Sequence, residues 1–169
     1  MDHLSGDEIA GAPEESGTLL PHRMEMERFL AGRVTKTSLP VVEPGLPGGP
    51  LLKRLLLPQG AAAQIYDADD GIRYLAWLEL RAGTIRGNHV HQRKHEYFYL
   101  VAGEVELVME DVTTGERAAL TLVAGDLVYL EAGVAHAYRP LKDGEAIEFS
   151  PVRFDPADTV RRVILPPVP

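Results

Sequence analysis

From Leu51 onward, short runs of apolar and alternating residues are separated by turns rich in Gly, Pro and Asp. LLKRLLL at 51–57, AAQIY at 62–66, and Tyr74 to Leu80 are the first strands this pattern predicts. In the last of them Tyr74, Ala76, Leu78 and Leu80 share one face, and Leu75, Trp77 and Glu79 the other. Both faces are largely apolar, so a strand covered on both sides is expected. Glu96 to Val101, Glu104 to Glu110 and Arg117 to Val123 follow, with Thr113-Thr114-Gly115 as the hairpin turn between the last two. In EVELVME the side chains of Val105, Leu107 and Met109 point one way and Glu104, Glu106 and Glu110 alternate with them. That strand has one dry face and one wet face. Leu127 to Leu130, Ala135 to Arg139, Ala146 to Phe149 and Val160 to Leu165 complete the set. No helical periodicity competes after residue 32, and many short strands with Gly turns predict an all-β sandwich or barrel.

The first 50 residues read differently. Residues 1–18 are rich in Gly, Ser, Pro and acidic residues, the composition of a mobile tail. The segment from Pro21 to Leu30 predicts a short helix over 22–31, with Pro near its start and Gly32 as its stop. Residues 40–50, PVVEPGLPGGP, are linker punctuation. The expected organisation is an N-terminal arm over 1–50 and a single β-barrel domain over 51–165.

Composition narrows the function. At 169 residues with 45% hydrophobic content, the chain suits one domain with a sizeable core. A net charge of −8 without a Lys/Arg run argues against nucleic acid and anionic membrane as partners. Cys is absent, so no disulfide, thiolate ligand or Cys nucleophile is available. The acidic N-terminus lacks the apolar core of a secretory signal, and no run of about 18 apolar residues predicts a membrane span. A cytoplasmic protein acting on a small molecule is expected.

The candidate chemistry lies in GTIRGNHVHQRKHEYFYLVAG, residues 83–103. His89 and His91 are two apart, so on a strand both imidazoles face the same way. Glu96 opens the next strand, and His136 returns on a strand after a Gly-containing turn. Three imidazoles and a carboxylate form a first shell for one divalent metal ion per chain, with Fe, Mn, Ni, Co and Zn all compatible. The carboxylate has a rival, because His95 precedes Glu96 and only one of two adjacent strand residues faces the metal without a bulge. Tyr138 shares strand parity with His136 and could offer a phenol to a substrate; Tyr138 and His95 are the catalytic candidates. Arg86 could hold a carboxylate or phosphate.

These residues resemble the cupin superfamily. Its first motif is matched by Gly83, His89, His91, Glu96 and Gly103 at the family spacing, with six residues between Glu96 and Gly103. Gly125, Gly133 and His136 fit the second motif, in which Glu131 stands for the usual Pro and Pro140 for the usual Asn. The resemblance covers roughly residues 72–150 and implies a jelly-roll barrel, the double-stranded β-helix, with Glu96 as the carboxylate ligand. Within the superfamily, Arg86-Gly87-Asn88-His89-Val90-His91 with Lys94, Glu96 and Phe154-Asp155-Pro156 is similar to cupin domains of nucleotide-sugar modifying proteins. Among these is the metal-binding cupin domain of capsular-polysaccharide epimerase/reductases. The resemblance implies a metal acting as Lewis acid in isomerisation or epimerisation of a sugar or keto compound. An Fe(II)-dependent dioxygenase and a non-catalytic metal- or ligand-binding module are the alternatives. It also implies a homodimer.

Overall fold

The computed structural model describes residues 24–45 and 49–166. Its strands are β1 (Glu25–Phe29), β2 (Val34–Ser38), β3 (Val41–Val42), β4 (Lys53–Leu57), β5 (Gly60–Gln64) and β6 (Tyr74–Leu80). They continue with β7 (Arg86–His91), β8 (Glu96–Asp111), β9 (Arg117–Val123), β10 (Asp126–Leu130), β11 (Val134–Ser150) and β12 (Thr159–Arg161). The fold is all-β, as the pattern predicts.

Two long strands organise it. β8 and β11 run antiparallel over nearly their whole length, from Val134 against Asp111 to Phe149 against Tyr97. The first half of β8 and the second half of β11 sit in one sheet, ordered β1-β2-β10-β8-β11-β6. The other halves sit in a second sheet, ordered β9-β8-β11-β7-β12. Each sequence run that stops at Gly103 or begins at Ala146 is therefore half of a longer, bent strand. The bend needs glycine on both strands: a Cβ on Gly103, at φ +96°, would stand 2.9 Å from the Asp143 carbonyl oxygen. One on Gly144 would overlap the Ala102 carbonyl. Backbones crossing this closely exclude side chains.

Between the sheets Val34, Leu80, Phe98, Leu100, Val105, Leu107, Met109, Leu122, Val128 and Leu130 pack out of reach of water. Alternate residues of each strand supply this layer, as a period of two requires. Phe149 packs on the outer side of the first sheet with Leu39, Tyr99 and Leu127. Its inward neighbours in sequence are Glu148 and Ser150. The small sheet β3-β4-β5 and the segment after it bring Leu52, Ile65 and Tyr66 onto that outer cluster.

The N-terminal expectations change. The helix expected over 22–31 does not form over its described residues: Glu25–Phe29 is a strand paired with β2 over its full length, Leu30–Gly32 is a single 3-10 turn, and residues 22–23 lie outside the described ones. β2 in turn pairs with β10 from Asp126 against Ser38 to Leu130 against Val34. An isolated two-turn helix is marginal, and a row of backbone hydrogen bonds with the β-branched strand VTKTS outcompetes it. Residues 25–38 thus belong to the barrel, and the segment read as a linker contains β3. The tail over 1–18 lies outside the described residues. The second face of β6 is also uncovered, with Leu75 66% and Trp77 62% exposed. Among the described residues, no helix is long and apolar enough to cross a membrane.

Candidate metal centre

β7 carries His89 and His91 on one face, and β11 brings His136 directly opposite His89. Gly87 makes this approach possible, because at φ +82° a Cβ there would stand 2.7 Å from the His136 carbonyl oxygen. Glu96, the first residue of β8, reaches the same point from the other sheet. One donor atom from each of His89, His91, Glu96 and His136 lies within 4.8 Å of the other three. Bonds of about 2.0–2.2 Å from N and O donors to one ion require donors of this spread.

The orientation of each donor favours the centre. His136 Nδ1 lies 3.2 Å from the Val134 carbonyl oxygen, so this nitrogen donates and Nε2 keeps its lone pair. His91 Nδ1 faces Thr159 Oγ1 at 3.3 Å and Asp158 at 3.8 Å, turning Nε2 inward to 3.2 Å from Glu96 Oε2. Glu96 Oε1 stands 3.6 Å from His136 Nε2. Yet His89 Nε2, His136 Nε2 and Glu96 Oε1 are all buried without a hydrogen-bond partner. Orphaned buried acceptors are costly, and three converging on one point fit a cation.

The charge states agree. Burial, with the neighbouring His136 and His91, lowers His89 to about 4, leaving it a neutral donor at neutral pH. Burial also lowers His136. For Glu96 burial opposes ionisation, but the hydrogen bond with His91 and the Lys94 ammonium prevail and hold the carboxylate below its ordinary range. Three imidazoles, two of them held neutral by burial, and one carboxylate suit a divalent ion.

Of the catalytic candidates, only Tyr138 lies at the centre. Its ring stacks on Phe98 at 4.2 Å and meets the His136 ring at 5.6 Å. Its hydroxyl is buried without a partner, and burial with the Glu96 and Glu148 charges raises the phenol well above its ordinary value. His95 is turned to the other side, its ring 5.7 Å from that of Tyr129. Strand alternation sends it outward when Glu96 points in, away from the four donor atoms. Arg86 is spent on the Glu79 carbonyl at 3.1 Å.

Three polar residues enter the site that the sequence reading left without a role: Lys94, Glu148 and Asp158. Asp158 holds the β7–β8 loop by accepting the backbone N–H groups of Arg93 at 2.9 Å and Lys94 at 3.0 Å. Glu148 had one signal in the sequence, a charge at the inward parity of Ala146 and Ser150. Asp158, far along the chain, had none.

A barrel of two sheets bridged by two long bent strands, with a His/Glu cluster facing its interior, is a jelly-roll β-barrel. Residues 76–151 match the cupin domain family model. No curated protein sequence matches the chain. Among solved structures it is similar to dTDP-4-dehydrorhamnose 3,5-epimerase from Sulfolobus tokodaii, at 16% identity and TM-score 0.64, over 83% of this chain and 81% of that one. A 4-keto-6-deoxy sugar epimerase from the novobiocin gene cluster of Streptomyces spheroides aligns at 19% identity and TM-score 0.61, over 85% and 76%. A 3,4-ketoisomerase from Helicobacter canadensis aligns at 12% and 0.57, over 65% and 86%. At these identities the likeness is one of fold.

Proposed function

We propose that the chain is a metal-dependent isomerase or epimerase of a keto sugar carried on a nucleoside diphosphate. The observation that supports this best is the convergence of His89 Nε2, His136 Nε2 and Glu96 Oε1, buried and unpartnered, beside the unpartnered Tyr138 phenol. The sugar class is supported by the RGNHVH stretch and by the keto-sugar epimerases and ketoisomerase that share the fold.

His89, His91, Glu96 and His136 would hold the ion. A divalent metal there supplies Lewis acidity toward a carbonyl oxygen, which acidifies the neighbouring C–H. The chain's own residues set the rest. Tyr138, kept protonated by burial, is a hydrogen-bond and proton donor at the centre. The packed wall of Phe98, Leu107 and Met109 excludes water from one side of the centre. Three His and one carboxylate leave positions open in a five- or six-coordinate shell for the substrate oxygen.

The test is metal content of untagged wild type and His89→Ala by elemental mass spectrometry. It is joined to deuterium uptake from D₂O into a dTDP-4-keto-6-deoxy sugar. Bound metal lost in the variant, with deuterium entering next to the carbonyl, supports the reading. No metal uptake and no exchange overturn it. Substrate-dependent oxygen uptake by the iron-loaded protein would replace it with dioxygenase chemistry.

A further inference from the structure

Lys94 is the only Lys or Arg in the buried class among the described residues, at 3% exposure. Its Nζ lies 2.8 Å from Glu96 Oε2 and 3.1 Å from Glu148 Oε1, and 4.2 Å above the centre of the Tyr74 ring. Its backbone N–H is fixed by Asp158. An ammonium buried beside a metal's carboxylate repels the incoming cation, and burying it costs several kcal/mol before compensation. A fold that needed only to neutralise Glu96 could leave that to the metal.

The geometry gives Lys94 a different task. Glu96 has two oxygens, and a free carboxylate can grip a cation through both. Lys94 Nζ donates to Oε2 at 2.8 Å. Only Oε1 is left without a partner, turned toward His136. Glu148 holds the ammonium from behind and Tyr74 covers it, so the cation cannot swing away. We infer that Lys94 is a positioning residue that restricts Glu96 to a single donor oxygen, Oε1, and so keeps a position free for a substrate oxygen. Glu148 and Tyr74 are its anchors. The inference rests on the metal-centre reading above.

The test uses the full chain loaded with Co(II), read by its visible d–d spectrum and by competition with a chelator. Lys94→Met keeps the length of the side chain and removes the charge and the donors. We expect altered d–d bands and a tighter hold on cobalt, because Glu96 gains its second donor oxygen and the ammonium's repulsion is gone. If Lys94→Met does not fold, Glu148→Gln is measured instead; it frees Lys94 from its charged anchor, and a spectral change in the same direction is expected. Wild type that loads cobalt while a folded variant keeps its spectrum and affinity overturns the inference alone. Wild type that takes up no cobalt overturns the metal-centre reading and the inference with it.

Discussion

Gly87 lies against the backbone of His136 so closely that a Cβ on it would stand 2.7 Å from the His136 carbonyl oxygen. The contact sets the distance between the two strands that carry the three imidazoles, so the centre depends on a residue with no side chain. Gly87→Ala must strain a positive φ, which costs roughly 1–3 kcal/mol, and must also push β7 from β11. Gly115→Ala is the control, because Gly115 has a positive φ and open space around it. Both variants should lower the melting temperature, but only Gly87→Ala should lose metal affinity as well.

Glu96 and His95 are neighbours that the fold sends to opposite faces. Glu96→Gln removes the anionic donor and should weaken metal binding by at least the ~10- to 100-fold typical of outer-shell losses. His95→Ala should leave affinity unchanged. Calorimetric titration of both variants with zinc decides; an equal loss in the two would mean that the ligand set is wrong.

Tyr138 presents a hydroxyl that is buried and unpaired. Tyr138→Phe keeps the ring stacked on Phe98 and removes a group whose burial is uncompensated. Stability should hold or rise by up to about 1 kcal/mol. Turnover should fall about 10²- to 10⁴-fold, the range for loss of a general acid. Metal content should not change. A destabilised variant with full turnover would make the hydroxyl structural.

The pH dependence of the metal-free protein follows from His89 and His136. Both are lowered on folding, His89 from 6.5 to about 4, so the unfolded chain binds more protons between those values. Their contribution is present above pH 6.5 and lost as pH falls toward 4. The melting temperature of chelator-treated protein should drop across that window, and His89→Ala should drop less steeply. A flat profile in wild type would mean that the imidazoles are hydrated.

The ligand set was readable because it is a matter of parity and spacing. His89 and His91 share a face by period alone. Alternation said only that one of His95 and Glu96 faces in, and the spacing to Gly103 in the resembled motif chose Glu96. The bends were less readable: Gly103 and Gly144 look like strand ends, yet the chain continues through them because close backbone crossing, not a turn, requires glycine. The short helix expected at 22–31 did not form over its described residues because Glu25–Phe29, good helix formers taken alone, pair along their whole length with β2, itself anchored on β10 far along the chain. Lys94 was visible only as a motif letter. Its burial depends on Glu148, 54 positions away in sequence, and on Tyr74 in another strand.

Among the described residues β6 joins the sheet on one side only, through β11, which leaves its other edge open. On the same strand Leu75 and Trp77 are 66% and 62% exposed, continuing the outer apolar surface of Ile147 and Phe149 across β11. An open edge beside exposed large apolar side chains is a liability that a second copy can remove. Pairing about a two-fold axis runs β6 antiparallel to itself and covers both at once. We expect a homodimer at micromolar concentration, and Trp77→Glu should shift it to monomer while leaving metal content intact, since the tryptophan lies outside the barrel. Sedimentation velocity checks both. A wild type that stays monomeric, or a Trp77→Glu protein that still dimerises, would move the interface elsewhere or remove it.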